Sequence, residues 1–420
     1  MNKITISKKG QYVNSDVLVI GVDIGKGFHM AVARRRDGSF TKALKFSSDA
    51  VGFNNLKVWL DQWYVQDRFS RILIGLESTG HYWMTLAFWL QNQGIEVVQV
   101  NPLHTHKAKD LYDNTPGKTD KKDARIIADL VSQGKFLNCI IPRGHYADLR
   151  YLVLLRKRLI TERTRQLNNI HRILDVLFPE CTKVFDNLKT KSSLYLLRYY
   201  YTPALLLSCS HKRLVKRLHK ISRGKIRLDK LTQLYELARS SVGITEGING
   251  LRVMLFRGLL RYEQLAQELG ALEDRLEELV SGLPETVYLR SVKGIGLVTV
   301  AVILGETGGL RYYSSAEEVI KLAGLNLYEL SSGKHRGKRR ITRRGRSVLR
   351  EGLYLAAVGV VRRDGPLHEF YERLRSRGKY GTVALVAVAC KLMRLLFALV
   401  RDQRYYVADY THSNVISRVA

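Results

Sequence analysis

Asp23, Glu77, Asp120 and Asp123 are acids placed at the ends of apolar runs or at the head of a helix. Asp23 closes the β-branched run from Val17 to Val22 and is followed at once by Ile24, Gly25 and Lys26. Glu77 closes a second run, RILIGLE from Arg71, ahead of Ser78, Thr79 and Gly80. Asp120 and Asp123 follow Thr119, a residue type that caps helices, and on a helix their spacing puts both on one face. Each of the four alone is an ordinary turn aspartate, cap or solvated glutamate. Brought together, like charges are costly unless a cation offsets them. Hard oxygen donors select magnesium or manganese, and two such ions about 4 Å apart activate an attacking oxygen and stabilise a leaving one in phosphoryl transfer. The second candidate is Ser331-Ser332-Gly333, at the head of a basic run. A serine hydroxyl is a weak nucleophile without an activating neighbour, so these residues read first as a phosphate-binding loop and second as a nucleophile.

Hydrophobic periodicity supplies the elements that must position these groups. Val17 to Val22 reads as a buried strand, and Phe28 to Ala33 and Phe40 to Phe46, joined through Asp37-Gly38, complete a β-meander. Ser48 to Trp63 carries Val51, Phe53, Leu56, Trp59 and Leu60 at helical spacing. Arg71 to Glu77 is a fourth strand, Tyr82 to Gln93 a helix that stops near Gly94, and Ile95 to Val100 a fifth strand closed by Asn101-Pro102. Three meandering strands, helix, strand, helix, strand is the element order of the ribonuclease-H-like (RuvC-like) fold. There strands one and four are neighbours, which would set Asp23 beside Glu77. His104 to Lys135 is polar and basic, broken at Pro116-Gly117, and Thr119 to Asp123 opens a helix carrying Ala124, Ile127, Ala128 and Val131.

Beyond Pro142-Arg143-Gly144 the pattern changes. Asp148 to Phe178 is a long helix with Leu152, Leu155, Leu159, Leu167, Ile170, Leu174 and Leu177 on one face. Cys181 to Gly243 is strongly basic and made of short helices. Gly250 to Gly282 is a second long helix whose Leu255, Tyr262, Leu265, Leu269, Leu272, Leu276 and Leu279 form an a/d seam, with Gly258 in one slot. The seam fits a coiled-coil arm between chains or a hairpin folded on itself, and the two can coexist. Near Lys293, Gly294-Ile295-Gly296 lies between apolar helices, as in a helix-hairpin-helix whose amides approach a phosphate; the same turn also serves as a plain linker. From Ser331 to Arg350 there are nine Lys or Arg and no acid, among them Lys334, Arg336, Lys338, Arg339, Arg340, Arg343, Arg344 and Arg346. Val383 to Val400 is apolar but interrupted by Lys391 and Arg394, so it reads as core. The expected division is 1–145, 146–284 and 285–420.

Composition narrows the partner. The 420 residues exceed one ordinary core. Lys and Arg number 69 against 38 Asp and Glu, a net charge of +31, which suits a polyanion and above all nucleic acid. No apolar run long enough to span a bilayer lacks charge, and MNKITISKKGQY has no apolar leader, so no membrane partner is expected. Cys139, Cys181, Cys209 and Cys390 are far apart, which fits a reducing cytoplasm and argues against a zinc site.

GVDIGK, GLESTGHYW, KTDKKDARIIA and the stretch from SVKGIGLVTVAVILG to ITRRGRSVLR together resemble the insertion-sequence-110 family of DEDD transposases. The resemblance covers roughly residues 17 to 135 and 285 to 360. It implies a RuvC-like domain whose Asp23, Glu77, Asp120 and Asp123 bind magnesium. It also implies a mostly helical C-terminal transposase domain whose serine, within Ser331-Ser332-Gly333, attacks DNA to form a phosphoserine link; Ser332, next to the glycine, is the expected nucleophile. Guidance by a structured RNA, double-stranded DNA as substrate, action as a dimer or tetramer, and a place in the prokaryotic cytoplasm at the nucleoid follow from the same resemblance. A Holliday-junction-type metal nuclease needs the carboxylates but not the serine, and a non-catalytic nucleic-acid scaffold needs neither. An actin-like ATPase would need a second, later Asp-x-Gly strand, which is missing.

Overall fold

The run at Val17 becomes the centre of a sheet because neither of its faces meets water. In a computed structural model the described residues are 13–78, 80–112, 120–185, 187–225, 227–329, 331–332, 335–337 and 339–407. The meander is β1 (Val17–Ile24), β2 (Phe28–Arg34) and β3 (Leu44–Ser47). Then come α1 (Ala50–Gln66), β4 (Arg71–Glu77), α2 (Trp83–Asn92), β5 (Glu96–Val100), α3 (Pro102–Tyr112), α4 (Asp120–Ser132) and β6 (Leu137–Asn138). The six strands form one sheet in the order β3-β2-β1-β4-β5-β6. β1 is antiparallel to β2 and parallel to β4, with Val22 opposite Leu76.

Period-two alternation divides the sheet's two cores. Leu18, Ile20, Val22, Ile74 and Leu76 face α1 and α2 through Phe53, Leu56, Leu86 and Leu90. Val17, Val19, Leu73 and Val98 face α4 through Ile126, Ile127 and Val131. Three features differ from the sequence expectation, the first being β6, a sixth strand at the sheet's edge that the sequence reading omits. The third strand is short, and Phe40 contributes only an isolated bridge to Arg34. Asn101-Pro102 ends β5 but also starts α3, an element the sequence reading omits. Leu103 N–H donates to Asn101 Oδ1 at 3.0 Å, and a proline at the first helical position forgoes no hydrogen bond.

The chain divides into two compact units: residues 1–147, 287–295 and 303–420, and residues 148–286 with 296–302. In the second unit the helices are α5 (His145–Leu177, most of which lies here), α6 (Cys181–Val184), α7 (Lys191–Tyr199), α8 (Pro203–Leu207), α9 (His211–Ser222), α10 (Leu228–Arg239) and α11 (Ile248–Ser281). α5 and α11 run antiparallel. Leu159 packs with Leu265, Leu269 and Leu272, and Arg156 and Arg261 pair with Glu273 and Glu162 at 2.6 and 2.8 Å. The seam of α11 is therefore buried against a helix of its own chain. Gly258 lies where an added Cβ would stand 3.3 Å from Ile170 Cγ1. The short helices α6 to α10 close around Leu174, Leu177 and Phe178.

The first unit is completed by α12 (Thr286–Arg290), α13 (Leu297–Thr307, partly in the second unit), α14 (Ala316–Leu322), two two-stranded hairpins, α15 (Ser347–Val360), α16 (Pro366–Ser376) and α17 (Gly381–Arg401). The outer hairpin pairs β7 (Leu327–Tyr328) with β10 (Arg340–Ile341), and the inner one pairs β8 (Ser331–Ser332) with β9 (His335–Arg336). By length and composition α17 could cross a bilayer, but it buries Val388, Leu392, Met393 and Leu396 and packs on α14, α15 and α16.

Candidate active site

Two glycines decide where the acids meet. On β1, Gly21 and Asp23 share the face that α4 covers; on β4, Gly75 and Glu77 do the same. An added Cβ at Gly21 would lie 2.0 Å from the Ala124 carbonyl oxygen and 2.5 Å from Ala128 N; at Gly75 it would lie 2.3 Å from Val131 Cγ2. Lacking Cβ atoms there, the strands let α4 rest on their backbone, and its first turn drops Asp120 and Asp123 onto the strand ends carrying Asp23 and Glu77. All four carboxylates line one cavity of about 360 Å³, together with Lys109, Lys45 and His29. The turn after Asp23 is tight: a Cβ at Gly25 would meet the Phe28 carbonyl oxygen at 2.4 Å.

The electrostatics of this cavity are those of crowded anions. Asp23 is pushed up from 3.8 to about 6, first by burial and then by the charges of Asp123, Asp120 and Glu77, while Lys109 opposes the rise. Asp123 is 4% exposed. Its Oδ2 accepts a 2.6 Å hydrogen bond from Lys109 Nζ, and its buried Oδ1 has no partner. Lys109, carried by α3, is the site residue the sequence reading missed. The Asn101-Pro102 start of its helix reads equally well as a strand stop, so only a weak signal pointed to it. His29 is buried between the rings of Phe46 and Phe53, and burial holds its imidazole below the usual value.

The donor set fits a hard divalent cation: four carboxylates, one with a spare buried oxygen and one destabilised as an anion by its neighbours. Among the described residues no three acids are drawn tightly enough to enclose a single ion.

The basic candidates divide by what they touch. Arg339 pairs with Glu329 at 2.7 Å, and Arg346 pairs with Glu306 and donates to its carbonyl. Arg340, Arg343 and Arg344 are exposed with no ion pair among the described residues. Arg344 and Lys321 contribute to the field that, after burial and Lys135, lowers His104 on α3. Lys293 is exposed. Gly294, at φ +100°, lies against the backbone of Gly359, where a Cβ would meet its carbonyl oxygen at 3.0 Å; Gly296 faces open space. Ser331 and Ser332 sit on β8, opposite Arg336 and His335 in register. The side chains of Ser331, Ser332 and Arg336, and all of Thr119, Gly333, Lys334 and Lys338, lie outside the described residues.

Comparison with known proteins agrees with an enzyme that handles DNA. Residues 20–179 match a transposase family model named for IS110, and residues 287–372 match the model of the transposase IS116/IS110/IS902 family. An uncharacterized 44.8 kDa protein of insertion element IS116 from Streptomyces clavuligerus is 29% identical over 401 residues, covering 93% of this chain and 96% of its own. A 43.6 kDa protein of insertion element IS110 from Streptomyces coelicolor is 28% identical, over 81% of this chain and 84% of its own. The pilin gene-inverting protein of Moraxella lacunata is 24% identical, over 86% and 88% respectively. The two matched segments lie in order at the two ends of the sequence and together span more than half of it, and the relatives match along most of their length: the chain belongs to the IS110 family of transposases.

Proposed function

We propose that this transposase cuts and rejoins DNA at a RuvC-like site, guided by a structured non-coding RNA, through a covalent serine–phosphodiester link. The observation that carries the reading is the convergence of Asp23, Glu77, Asp120 and Asp123 on one cavity at the ends of two neighbouring parallel strands. In this reading these four hold magnesium or manganese. A divalent cation held by them would supply positive charge to offset that of the scissile phosphate. Ser332, or its neighbour Ser331, supplies the nucleophile. Its Oγ bonds to phosphorus as the bond from phosphorus to the leaving strand's oxygen breaks; the serine proton goes to solvent and the leaving oxygen takes one up. One phosphodiester is exchanged for another, so resealing by a strand hydroxyl needs no nucleotide cofactor. Exposed Arg340, Arg343, Arg344 and Lys293 offer phosphate contacts, and Lys334, Arg336 and Lys338, near the serine in sequence, are further candidates for the same role. Residues 1–145 form the RuvC-like domain, 146–284 the helical region for RNA and subunit contacts in a dimer or tetramer, and 285–420 the transposase domain.

Covalent trapping tests the proposal. Protein, the element's non-coding RNA, magnesium and labelled DNA with matching sites are incubated and then denatured. The expected result is label migrating with protein, lost in Ser332→Ala or Ser331→Ala and in Asp23→Asn. Metal-dependent cleavage without an adduct in any variant overturns the serine step and favours a resolvase-type nuclease.

A further inference from the structure

The helical unit contains a surface whose charges form no ion pairs among the described residues. α9 buries Leu214 and Leu218 and turns Lys212, Arg213, Lys216, Arg217 and Lys220 to solvent. From His211 to Lys225 there are seven Lys or Arg and no acid, and none of the seven forms an ion pair among the described residues. Some arginines elsewhere in this unit are matched: Arg156 with Glu273, Arg261 with Glu162, and Arg198 with Glu263. Lys212–Lys216, Arg213–Arg217 and Lys216–Lys220 are like-charge pairs four residues apart, which weaken a helix. Lys212 and Arg213 also occupy its first turn, the positive end of the helix dipole, where cations are disfavoured. An arrangement that opposes its own helix is explained by a polyanion outside the chain.

Beside the cations are aromatic rings. The Arg217 guanidinium lies 5.8 Å from the Tyr195 ring centroid, Tyr195 packs on Tyr199 at 4.7 Å, and Tyr199 is 54% exposed. Lysines and arginines suffice for a duplex backbone. An exposed tyrosine adjoining them offers a face to unstacked bases, which a duplex does not present. We propose that α7 and α9 form a platform for single-stranded nucleic acid, with the α9 cations on the phosphates and Tyr199 under a base. The inference rests on the chain being a nucleic-acid enzyme, but not on the acidic cavity or the serine.

The test uses the full chain and three labelled probes about 16 units long, a span one such site can cover: oligouridine, oligodeoxythymidine and a blunt DNA duplex. Anisotropy titrations are run across a salt series. The combined Arg213→Ala, Lys216→Ala, Arg217→Ala and Lys220→Ala variant leaves Leu214 and Leu218 in place, and its melting curve is matched to wild type. On the single strands its log affinity against log salt becomes shallower by about 3, from roughly 0.7 per phosphate contact. Tyr199→Ala weakens single-strand binding about tenfold, Tyr199→Phe restores it, and duplex binding is unchanged by either. A 4-thiouridine probe crosslinks to peptides within 191–223. Equal losses on the duplex, or wild-type affinity and slope in both variants, overturn the platform. Failure of the wild-type chain to bind any probe removes the nucleic-acid reading itself. A larger loss on oligouridine than on oligodeoxythymidine makes the natural strand RNA.

Discussion

Lys109 brings an ammonium 2.6 Å from Asp123 into a cavity otherwise dominated by carboxylates. Lys109→Met leaves a buried carboxylate without its donor, at a cost of about 1–3 kcal/mol. Its melting temperature in chelator therefore falls below wild type. Magnesium then restores more stability than it does in wild type, because the added cation no longer competes with the Lys109 ammonium for Asp123; differential scanning fluorimetry reads both effects. Asp23 behaves in the opposite sense. Its carboxyl titrates at about 6 in the fold against 3.8 for the ordinary group, so between those values the folded chain holds a proton that the unfolded chain has lost. Ionised Asp23 thus costs stability above pH 6. Asp23→Asn raises the melting temperature at pH 8 in chelator by the equivalent of about 1 kcal/mol, after discounting for solvent screening, and the gain fades as pH falls toward 4. A variant less stable than wild type at pH 8 would contradict the crowded-anion account. At this scale Asp23 and Glu77 were legible because each ends an apolar run. Lys109 was not, because a lysine in a basic stretch carries no local mark of the acids it meets.

Each sheet strand at the site repeats one device: a glycine, one apolar residue, then a carboxylate. Gly21 and Gly75 set how close α4 lies, and the two differ in what a methyl group would strike. At Gly21 it meets helix backbone; at Gly75 it meets a valine methyl that can shift. Gly21→Ala is therefore the more damaging, with about 1–3 kcal/mol of overpacking or more and loss of the magnesium-induced rise in melting temperature. Gly75→Ala costs less and keeps most of that rise. Equal effects would mean that α4 is not positioned by these contacts. The strands β1, β2, β4 and β5 and the helices α1, α2 and α4 follow from hydrophobic periodicity alone. α3 did not, since Asn101-Pro102 serves equally as a strand stop and a helix start, and a polar helix has weak periodicity. The seam of α11 was legible as a seam, but its partner was not: periodicity marks which face is buried and says nothing about which chain covers it.

Across the whole molecule the net charge is +31, and in the proposed reading that charge, not the acidic cavity, sets nucleic-acid affinity. Asp23→Asn should abolish cleavage while leaving RNA and DNA affinity within about twofold and the salt slope unchanged, since the slope counts phosphate contacts and not carboxylates. Filter binding across a salt series checks this, and a variant that loses binding and cleavage together would make Asp23 structural. The matched segments at the two ends of the chain and the basic helical unit between them are consistent with this separation of binding from chemistry. By itself the sequence determined the strands, their buried faces, the acids at their ends and the basic character of the whole, because these depend on neighbours a few positions away. Only the tertiary structure decided that α4 rests on two glycines and delivers Asp120 and Asp123 to Asp23 and Glu77. It also decided that Lys109 enters their cavity, that α11 closes on α5, and that the α9 cations pair with no acid among the described residues. Those outcomes turn on close contact between segments distant in the chain, where a single Cβ can forbid the approach.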